Sequence, residues 1–336
     1  MAPARVLPYL PLLRGETHLG EWVREGSIVR FDSPGEDLET ERALIELGGH
    51  SGQPRKRRNP ADAGVVRGLF RFAAAAGRAT DRVPPHRPMQ RVGDILTMFD
   101  KPATHARLRA AGVSVPDALP EVHSAAELFA AARERGWTRL FVKLAYGSSA
   151  SGAVALQWQG ERVAAISTVR MLGGRLYNSR QLLRYETWGE VYALLDALAP
   201  HRLHAEQWWP KASFGGRTID LRVVTIGGRA QHTLVRSARG PITNLHLGNE
   251  RGDAEALRRE LGPRWEMVED AAESALNAFP GALYAGVDVL LTPGFRRAAV
   301  LEVNAFGDYH RGVRVAGRDT YQAELCAMME GDAPRP

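Results

Sequence analysis

The sequence predicts a mixed α+β (α/β) fold, with a small α/β unit over residues 1–95 followed by two α+β subdomains over 96–205 and 206–330. Three observations carry this expectation. The chain has 336 residues, 44% of them hydrophobic and 24% charged, an ordinary globular composition long enough for two or three packed subdomains. A strand runs into a glycine- and serine-rich loop and out along a second strand at 140–156. A strand, turn and strand at 286–304 set acidic side chains into otherwise apolar runs.

The first fifteen residues are apolar, but Pro3, Pro8 and Pro11 interrupt them and Arg5 and Arg14 bracket a run too short for a membrane span, so they read as folded sequence and not as a targeting signal. A short strand follows at 27–31, then the polar turn Asp32-Ser33-Pro34-Gly35. Leu38, Arg42, Ile45 and Leu47 lie in a Glu-rich helix that stops at Gly48-Gly49. The basic run from Arg55 to Arg58, followed by Asn59-Pro60, reads as a solvated loop.

From Asp100 the punctuation is firmer. A helix over 101–111 closes at Gly112, Val113-Ser114-Val115-Pro116 is extended, and Ser124-Ala125-Ala126-Glu127 is a capping box opening another helix. The strands at 140–144 and 153–156 flank the loop Gly147-Ser148-Ser149-Ala150-Ser151-Gly152, which is not a Walker loop, because no Gly-Lys-Ser/Thr follows and the next element is no helix. Residues 158–200 contain a helix at 188–198 and a stretch of undefined structure through Gly173-Gly174 and Tyr177-Asn178. Strands are expected at 204–209, 218–225, 231–235, 286–291 and 298–303, and helices at 253–261 and 265–279.

The formal net charge is +6, yet the basic residues are nearly all Arg spread along the chain, without aromatic and basic interleaving, which argues against a nucleic-acid partner. A single cysteine, Cys326, expected as filler on a C-terminal helix, forms no intrachain disulfide, and a reducing, cytoplasmic compartment is the expectation. No membrane partner is expected, and a homo-oligomer is compatible with the sequence.

Four segments carry chemistry. On the strand ending Leu301-Glu302-Val303-Asn304, alternation puts Glu302 and Asn304 on one face and Leu301 and Val303 on the other. With the turn centred near Phe295, Asp288 lies opposite Glu302, and three oxygen-bearing side chains converge as a hard cation such as magnesium requires. A solvated polar face on an edge hairpin is the plain alternative, though carboxylates on a half-buried sheet need a charge partner. Of only four lysines, Lys101 opens a helix and Lys143 ends the strand before the glycine-rich loop, a placement suited to a polyphosphate. The third segment is His204-Ala205-Glu206-Gln207-Trp208-Trp209 with Asp220-Leu221-Arg222, where a strand edge and large rings could hold an adenine, or a core Trp pair could sit beside a structural ion pair. The fourth is Arg236 with Thr243, Asn244, His246 and Asn249 in a glycine-bounded loop, a density of polar groups that suits substrate contact.

Taken in order over about residues 90–315, these segments resemble the ATP-grasp superfamily, and within it the ribosomal-protein glutamate ligase-like branch. The resemblance implies two α+β subdomains that clasp ATP. It implies that Lys101 and Lys143 contact phosphates, that Gly147, Ser148, Ser149, Ser151 and Gly152 close over them, that Glu206, Gln207 and Trp208 form the adenine hinge, and that Asp220 binds ribose. Asp288, Glu302 and Asn304 would hold one or two magnesium ions, manganese being able to replace them, and Arg222, Arg236, Asn244 and His246 would face the transferred phosphoryl group and its acceptor. The implied activity is ADP-forming ligation of a small-molecule or peptide carboxylate to an amine through an acylphosphate. A phosphotransferase on the same scaffold and a nucleotide-binding module without turnover are the alternatives. The sequence departs from the family's pattern in the N-terminal region, through 177–178, and after Asn304, where Ala305-Phe306-Gly307-Asp308-Tyr309 borders the acceptor site.

Overall fold

The structure, a computed structural model, describes residues 4–33, 37–48, 83–306 and 310–331. The basic run at 55–58, Pro34-Gly35, Gly49 and residues 307–309 lie outside the described residues. Two short helices, α1 (Tyr9–Arg14) and α2 (Leu19–Trp22), precede β1 (Ile28–Val29), which is shorter than the expected strand over 27–31. In the Glu-rich segment, α3 (Leu38–Leu47) starts where the Asp37 carboxylate accepts the Thr40 amide at 2.7 Å. β2 (Arg87–Pro88) then pairs in parallel with β1.

An unexpected helix, α4 (Val92–Phe99), comes next, with Ile95 and Met98 buried on one face. Asp100 ends it and caps α5 (Lys101–Ala110) by accepting the Ala103 amide at 3.1 Å, so Lys101 sits at the first position of a fixed helix. α6 (Ala125–Glu134) starts as expected at Ser124, but only half of the capping box forms. Glu127 accepts the amide of His123, at 2.8 Å, one residue before the cap.

The first sheet holds β3 (Arg139–Leu144), β4 (Val154–Gln159), β5 (Arg162–Leu172), β6 (Arg175–Tyr185) and β7 (Leu203–Gln207) in the order β6-β5-β4-β3-β7, with antiparallel neighbours. The stretch left undefined in the sequence is the β5–β6 hairpin. It turns at Gly173 and Gly174, whose φ angles of 54° and 68° are those of a left-handed two-residue turn. α7 (Trp188–Leu198), where the sequence expects it, is opened by a full capping box between Thr187 and Glu190. It packs with α6 on this sheet, burying Leu128, Phe129, Leu194, Leu195 and Leu198 against Leu140, Val142 and Leu156.

The second sheet runs β11-β10-β9-β12-β13, from β9 (Arg217–Ile226), β10 (Arg229–Ala238), β11 (Glu250–Gly252), β12 (Tyr284–Leu291) and β13 (Ala298–Asn304), with the short β8 (Ser213–Phe214) beside β9. α8 (Ala254–Leu261) and α9 (Glu266–Asn277) cover one face, where Val268, Ala272 and Leu276 meet Leu221, Val223, Val287 and Val289. Ile95, Met98, Leu108 and Val113 join this core although they precede the first sheet in the chain. On the opposite face α10 (Thr320–Glu330) packs Ala323, Ala327 and Met328 on Val224, Ile226 and Tyr284. Cys326, a free thiol, is half-buried on this helix. No helix among the described residues is long and apolar enough to cross a membrane.

The β12–β13 register pairs Asp288 with Glu302 and Gly286 with Asn304, as the turn position requires. The alternation fails one residue earlier. A bulge follows Asp288, Val289 pairs with Val300, and Leu301 is the extra residue. Leu301 therefore lines the same cleft as Glu302, while Val300 and Val303 stay in the core, which corrects the expectation that Leu301 points away.

Candidate functional site

The two sheets face each other across a cleft of about 740 Å³. From the first sheet come Lys143 at the end of β3, Glu206 and Gln207 at the end of β7, and Trp208 just after it. The second sheet contributes Asp220 and Arg222 from β9, Arg236 from β10, Asp288 from β12, and Glu302 and Asn304 from β13. Lys101 enters from the start of α5, and Asn244 and His246 from the loop after β10. Gly147, Ser148, Ser149 and Ser151 form the rim; Gly152, alone of the expected residues, does not line the cleft.

Gly152 acts through the backbone. Its φ is 71°, and a Cβ there would lie 2.5 Å from Leu144 Cγ, so a side chain meets both an unfavourable conformation and a core leucine. A Cβ on Gly147 would come within 2.8 Å of the Ser151 carbonyl oxygen. Between them Ser149 and Ala150 are left-handed, with φ of 50° and 61°, and the Thr168 hydroxyl donates to the Ala150 carbonyl at 2.7 Å. The Ser151 amide closes the turn by donating to the Ser148 carbonyl at 2.7 Å.

Inside the cleft, cations and carboxylates interlock. Lys101 Nζ is 2.6 Å from Glu302 Oε1 and also donates to the Gly147 carbonyl, tying helix, loop and second sheet together. Lys143 Nζ is 2.8 Å from Glu206 Oε2 and 3.2 Å from the Leu301 carbonyl oxygen, to which it donates. Asp288 takes a two-pronged contact from Arg222 and a 3.0 Å contact from Arg236. Arg236 also reaches Asp220 at 2.7 Å, and Lys211 meets Asp220 at 2.8 Å.

These pairings set the charge states. Burial would raise the Glu206 carboxyl, but Lys143 and the His204 ring outweigh it and hold it down at about 2. Burial would likewise lower the Lys143 ammonium, and Glu206 and Glu302 keep it above its ordinary value. Desolvation opposes ionisation of Asp220 and Asp288 too, yet Arg236 with Lys211, and Arg222 with Arg236, hold them below the usual carboxylate range. Lys211 is the exception: burial wins over Asp220, and its ammonium is pushed down.

Two expectations need correction. The strand edge at the hinge is not free, because the Gln207 amide donates to the Asp117 carbonyl at 2.8 Å and the Trp208 amide to that of Arg139 at 3.2 Å. Residues 117–119 lie along β7, and the Glu206 side chain is turned to Lys143 and His204. Nor does Asp220 offer a free carboxylate to a ribose: it is 1% exposed and is held by Arg236, Lys211 and Thr243. Trp208 and Trp209 are half-buried in the cleft wall and do not form a core pair. Asn244 caps the turn over Leu245–Leu247 by accepting the His246 amide at 2.9 Å, and the His246 side chain is exposed.

Sequence reasoning missed Lys211, which sits in the cleft between Asp220 and Thr243. A signal existed, since it is one of only four lysines in the chain. It also missed Asp32, Arg251, His310 and Tyr321, which line the cleft from distant parts of the chain. Among the described residues no group of three or more His, Cys, Asp or Glu side chains is arranged to hold a metal ion. The expected set is two carboxylates and an amide, and Asn304 currently donates its Nδ2 to the Gly286 carbonyl at 3.1 Å, leaving Oδ1 as the atom of this side chain suited to a cation.

No family model matches the sequence, and no curated protein matches it. Solved structures do resemble it. N5-carboxyaminoimidazole synthase from Aspergillus clavatus aligns at 15% identity over 94% of this chain and 78% of its own, with a TM-score of 0.51. The ATP-grasp ligase PsnB, solved with a precursor peptide and AMPPNP, aligns at 14% identity over 93% of this chain and 79% of its own, with a TM-score of 0.44. The D-alanine-D-alanine ligase from Coxiella burnetii aligns at 17% identity over 75% of this chain, with a TM-score of 0.43, and this chain spans 58% of that ligase. With two antiparallel sheets, helices packed on each, and a charged cleft between them, the chain has the ATP-grasp fold.

Proposed function

We propose that this protein is an ADP-forming carboxylate–amine ligase of the ribosomal-protein glutamate ligase-like kind, using ATP with magnesium. The observation that carries the reading is the meeting of Lys101, Lys143 and the glycine-rich loop with the cross-strand pair Asp288 and Glu302 in one cleft. Lysines beside a glycine- and serine-rich turn suit a polyphosphate. Asp288, Glu302 and Asn304 offer oxygen atoms of the kind magnesium prefers, and their residue types fit that ion. The bound ion would neutralise charge on the phosphate oxygens.

In this reading Lys101 and Lys143 exchange their carboxylate partners for phosphate oxygens, which frees Glu302 for the metal. Arg236, held by Asp220, and Arg222, which would give up part of its contact with Asp288 to the metal, face the transferred phosphoryl group and stabilise the charge on it. A substrate carboxylate oxygen attacks the γ-phosphorus, the bond to the β-bridging oxygen breaks, and ADP leaves. An amine nitrogen then attacks the acyl carbon, inorganic phosphate departs, and the amine gives up a proton. Asp220 acts as a positioning residue for Arg236 and Lys211, not as a ribose ligand.

The test is trapping. Incubation with ATP, magnesium and pooled carboxylic acids in hydroxylamine is expected to yield a hydroxamate together with ADP. A stable phosphorylated product with no hydroxamate would overturn the ligase assignment in favour of phosphotransfer.

A further inference from the structure

The cleft is also lined from other parts of the chain, by Asp32, which follows β1, and by Tyr321 near the start of α10. Among the described residues five acidic side chains line the cleft: Asp32, Glu206, Asp220, Asp288 and Glu302. The last four each meet a lysine or arginine that also lines it. Asp32 differs. Its counter-ion, Arg30, is not part of the lining, and the side chain of Arg30 is only 18% exposed behind it.

Arg30 is shared. It pairs with Asp32 through one nitrogen and with the buried Glu324 through another at 3.0 Å, while its guanidinium lies 5.0 Å and 4.5 Å from the ring centres of Tyr284 and Tyr321. Two carboxyl groups thus share one fixed guanidinium, and the group carries surplus negative charge whenever Glu324 is ionised. Asp32 shows that charge to the cleft, with half of its side chain exposed. The Tyr321 hydroxyl, 3.5 Å from Asp32 Oδ2, stands beside it, and Phe99 and Phe306 provide an apolar wall with rings 5.5 Å apart.

An accessible carboxylate with a hydroxyl neighbour and an apolar wall is complementary to a cation and not to a phosphate. We propose that Asp32 and Tyr321 form a subsite for the ammonium group of the second substrate, a primary amine carried by a free amino acid or by a short peptide. The proposal rests on the ligase reading and deepens it. Asp32 accepts N–H bonds from the ammonium, Tyr321 adds a hydroxyl acceptor, and Arg30 keeps the carboxylate in place without facing the ligand.

The experiment uses the full chain with magnesium and AMPPNP, titrated calorimetrically with the twenty amino acids, their N-acetyl derivatives and a glycyl dipeptide series. At least one free amine is expected to bind, with its N-acetylated form about tenfold weaker or worse, as loss of a charge-assisted bond implies. Asp32→Asn should weaken the same amine by about tenfold, and Tyr321→Phe by less, while both retain the response to AMPPNP. The dipeptide arm separates a free amino acid from a peptide as the source of the amine. If no amine in the panel binds, if the N-acetyl forms bind equally, or if Asp32→Asn binds as the parent does, the subsite is overturned. Should Asp32→Asn not fold, Tyr321→Phe and the N-acetyl comparison decide. A parent protein that ignores AMPPNP but binds amines through Asp32 defeats the ligase reading alone, because the titration is repeated without nucleotide.

Discussion

Lys101 Nζ lies 2.6 Å from Glu302 Oε1, joining the first turn of α5 to the edge strand β13 across the cleft. The side chains are 12% and 27% exposed, so the pair is shielded enough to matter yet open to exchange. A lysine and a metal cannot both have this carboxylate at full strength. In the proposed ligase reading, nucleotide binding and metal binding are coupled through this one contact, in which the phosphate would draw off Lys101 and the cation would take Glu302.

Glu302→Gln tests that coupling. It keeps the shape of the side chain but removes the charge that holds Lys101 and that the ligase reading offers to a cation. The protein without ligand is expected to lose about 1–3 kcal/mol, the worth of a hydrogen bond to a charged group. ADP formation should fall by about a hundredfold or more, as when one preorganised electrostatic contact is removed. A thermal-shift series in ATP at rising magnesium checks the point: a stabilisation in the variant that still climbs with magnesium as in the parent contradicts the assignment.

The Lys143–Glu206 pair predicts a pH effect of definite sign. Glu206 titrates at about 2 in the folded chain against an ordinary 4.5, so it binds protons less readily folded than unfolded. Its stabilising contribution is complete above about pH 4.5 and is lost as the pH falls toward 2, amounting to about 3 kcal/mol at the limit. Urea unfolding between pH 5 and pH 3 should show the parent losing stability across this interval. Glu206→Gln is expected to be less stable at neutral pH, since it leaves Lys143 buried without its carboxylate, and flatter through the same interval. An equally steep decline in the variant would exclude Glu206 as the source.

How far the sequence revealed this site depends on the range of the interaction. The Asp288 and Glu302 register follows from strand alternation and one turn, both local, and it was legible. The bulge at Leu301 was not, because one extra residue in a strand leaves no mark on an apolar run. The β5–β6 hairpin could have been read, since Gly173-Gly174 between alternating residues is a turn signal. Asp32 and Tyr321 stand 289 residues apart, and only the packing of α10 beside the second sheet brings them together. The partners of Asp220 were hidden for a related reason: alternation shows that Asp220 and Arg222 share a face, but not that Lys211 and Arg236 reach Asp220 first.

Gly152→Ala probes the glycine-rich loop without touching a charge. The left-handed φ costs an alanine about 1 kcal/mol, and the clash with Leu144 forces either the loop or the core to move. The variant is expected to lose about 1–3 kcal/mol of stability and to bind ATP more weakly, because Gly147 and Ser151 are displaced with the turn. Adding Leu144→Ala opens space and should restore part of the nucleotide affinity while lowering stability further by about 2–5 kcal/mol. Calorimetric ATP titration of the single and double variants checks this, and an unrestored double variant would locate the defect in φ and not in the clash.

Glu324 predicts an effect opposite in sign to that of Glu206. Burial of this α10 side chain pushes its carboxyl up to about 7 from an ordinary 4.5, against the pull of Arg30, so the folded chain binds this proton more tightly than the unfolded one. Its favourable contribution is complete below about pH 4.5 and is lost as the pH rises through 7, by about 3 kcal/mol. The windows of the two acids meet near pH 4.5 without overlapping, so variants can separate them. Glu324→Gln, which keeps a hydrogen-bonding side chain near Arg30 but cannot ionise, should remove the decline between pH 4.5 and pH 7 and leave the acid limb governed by Glu206 unchanged. Unfolding free energies of parent and variant at pH 4.5, 6 and 7.5 measure the difference directly. A parent-minus-variant difference that stays constant over that range would mean that Glu324 titrates alike in the folded and unfolded chain, near the ordinary 4.5, so that at neutral pH it is an anion paired with Arg30.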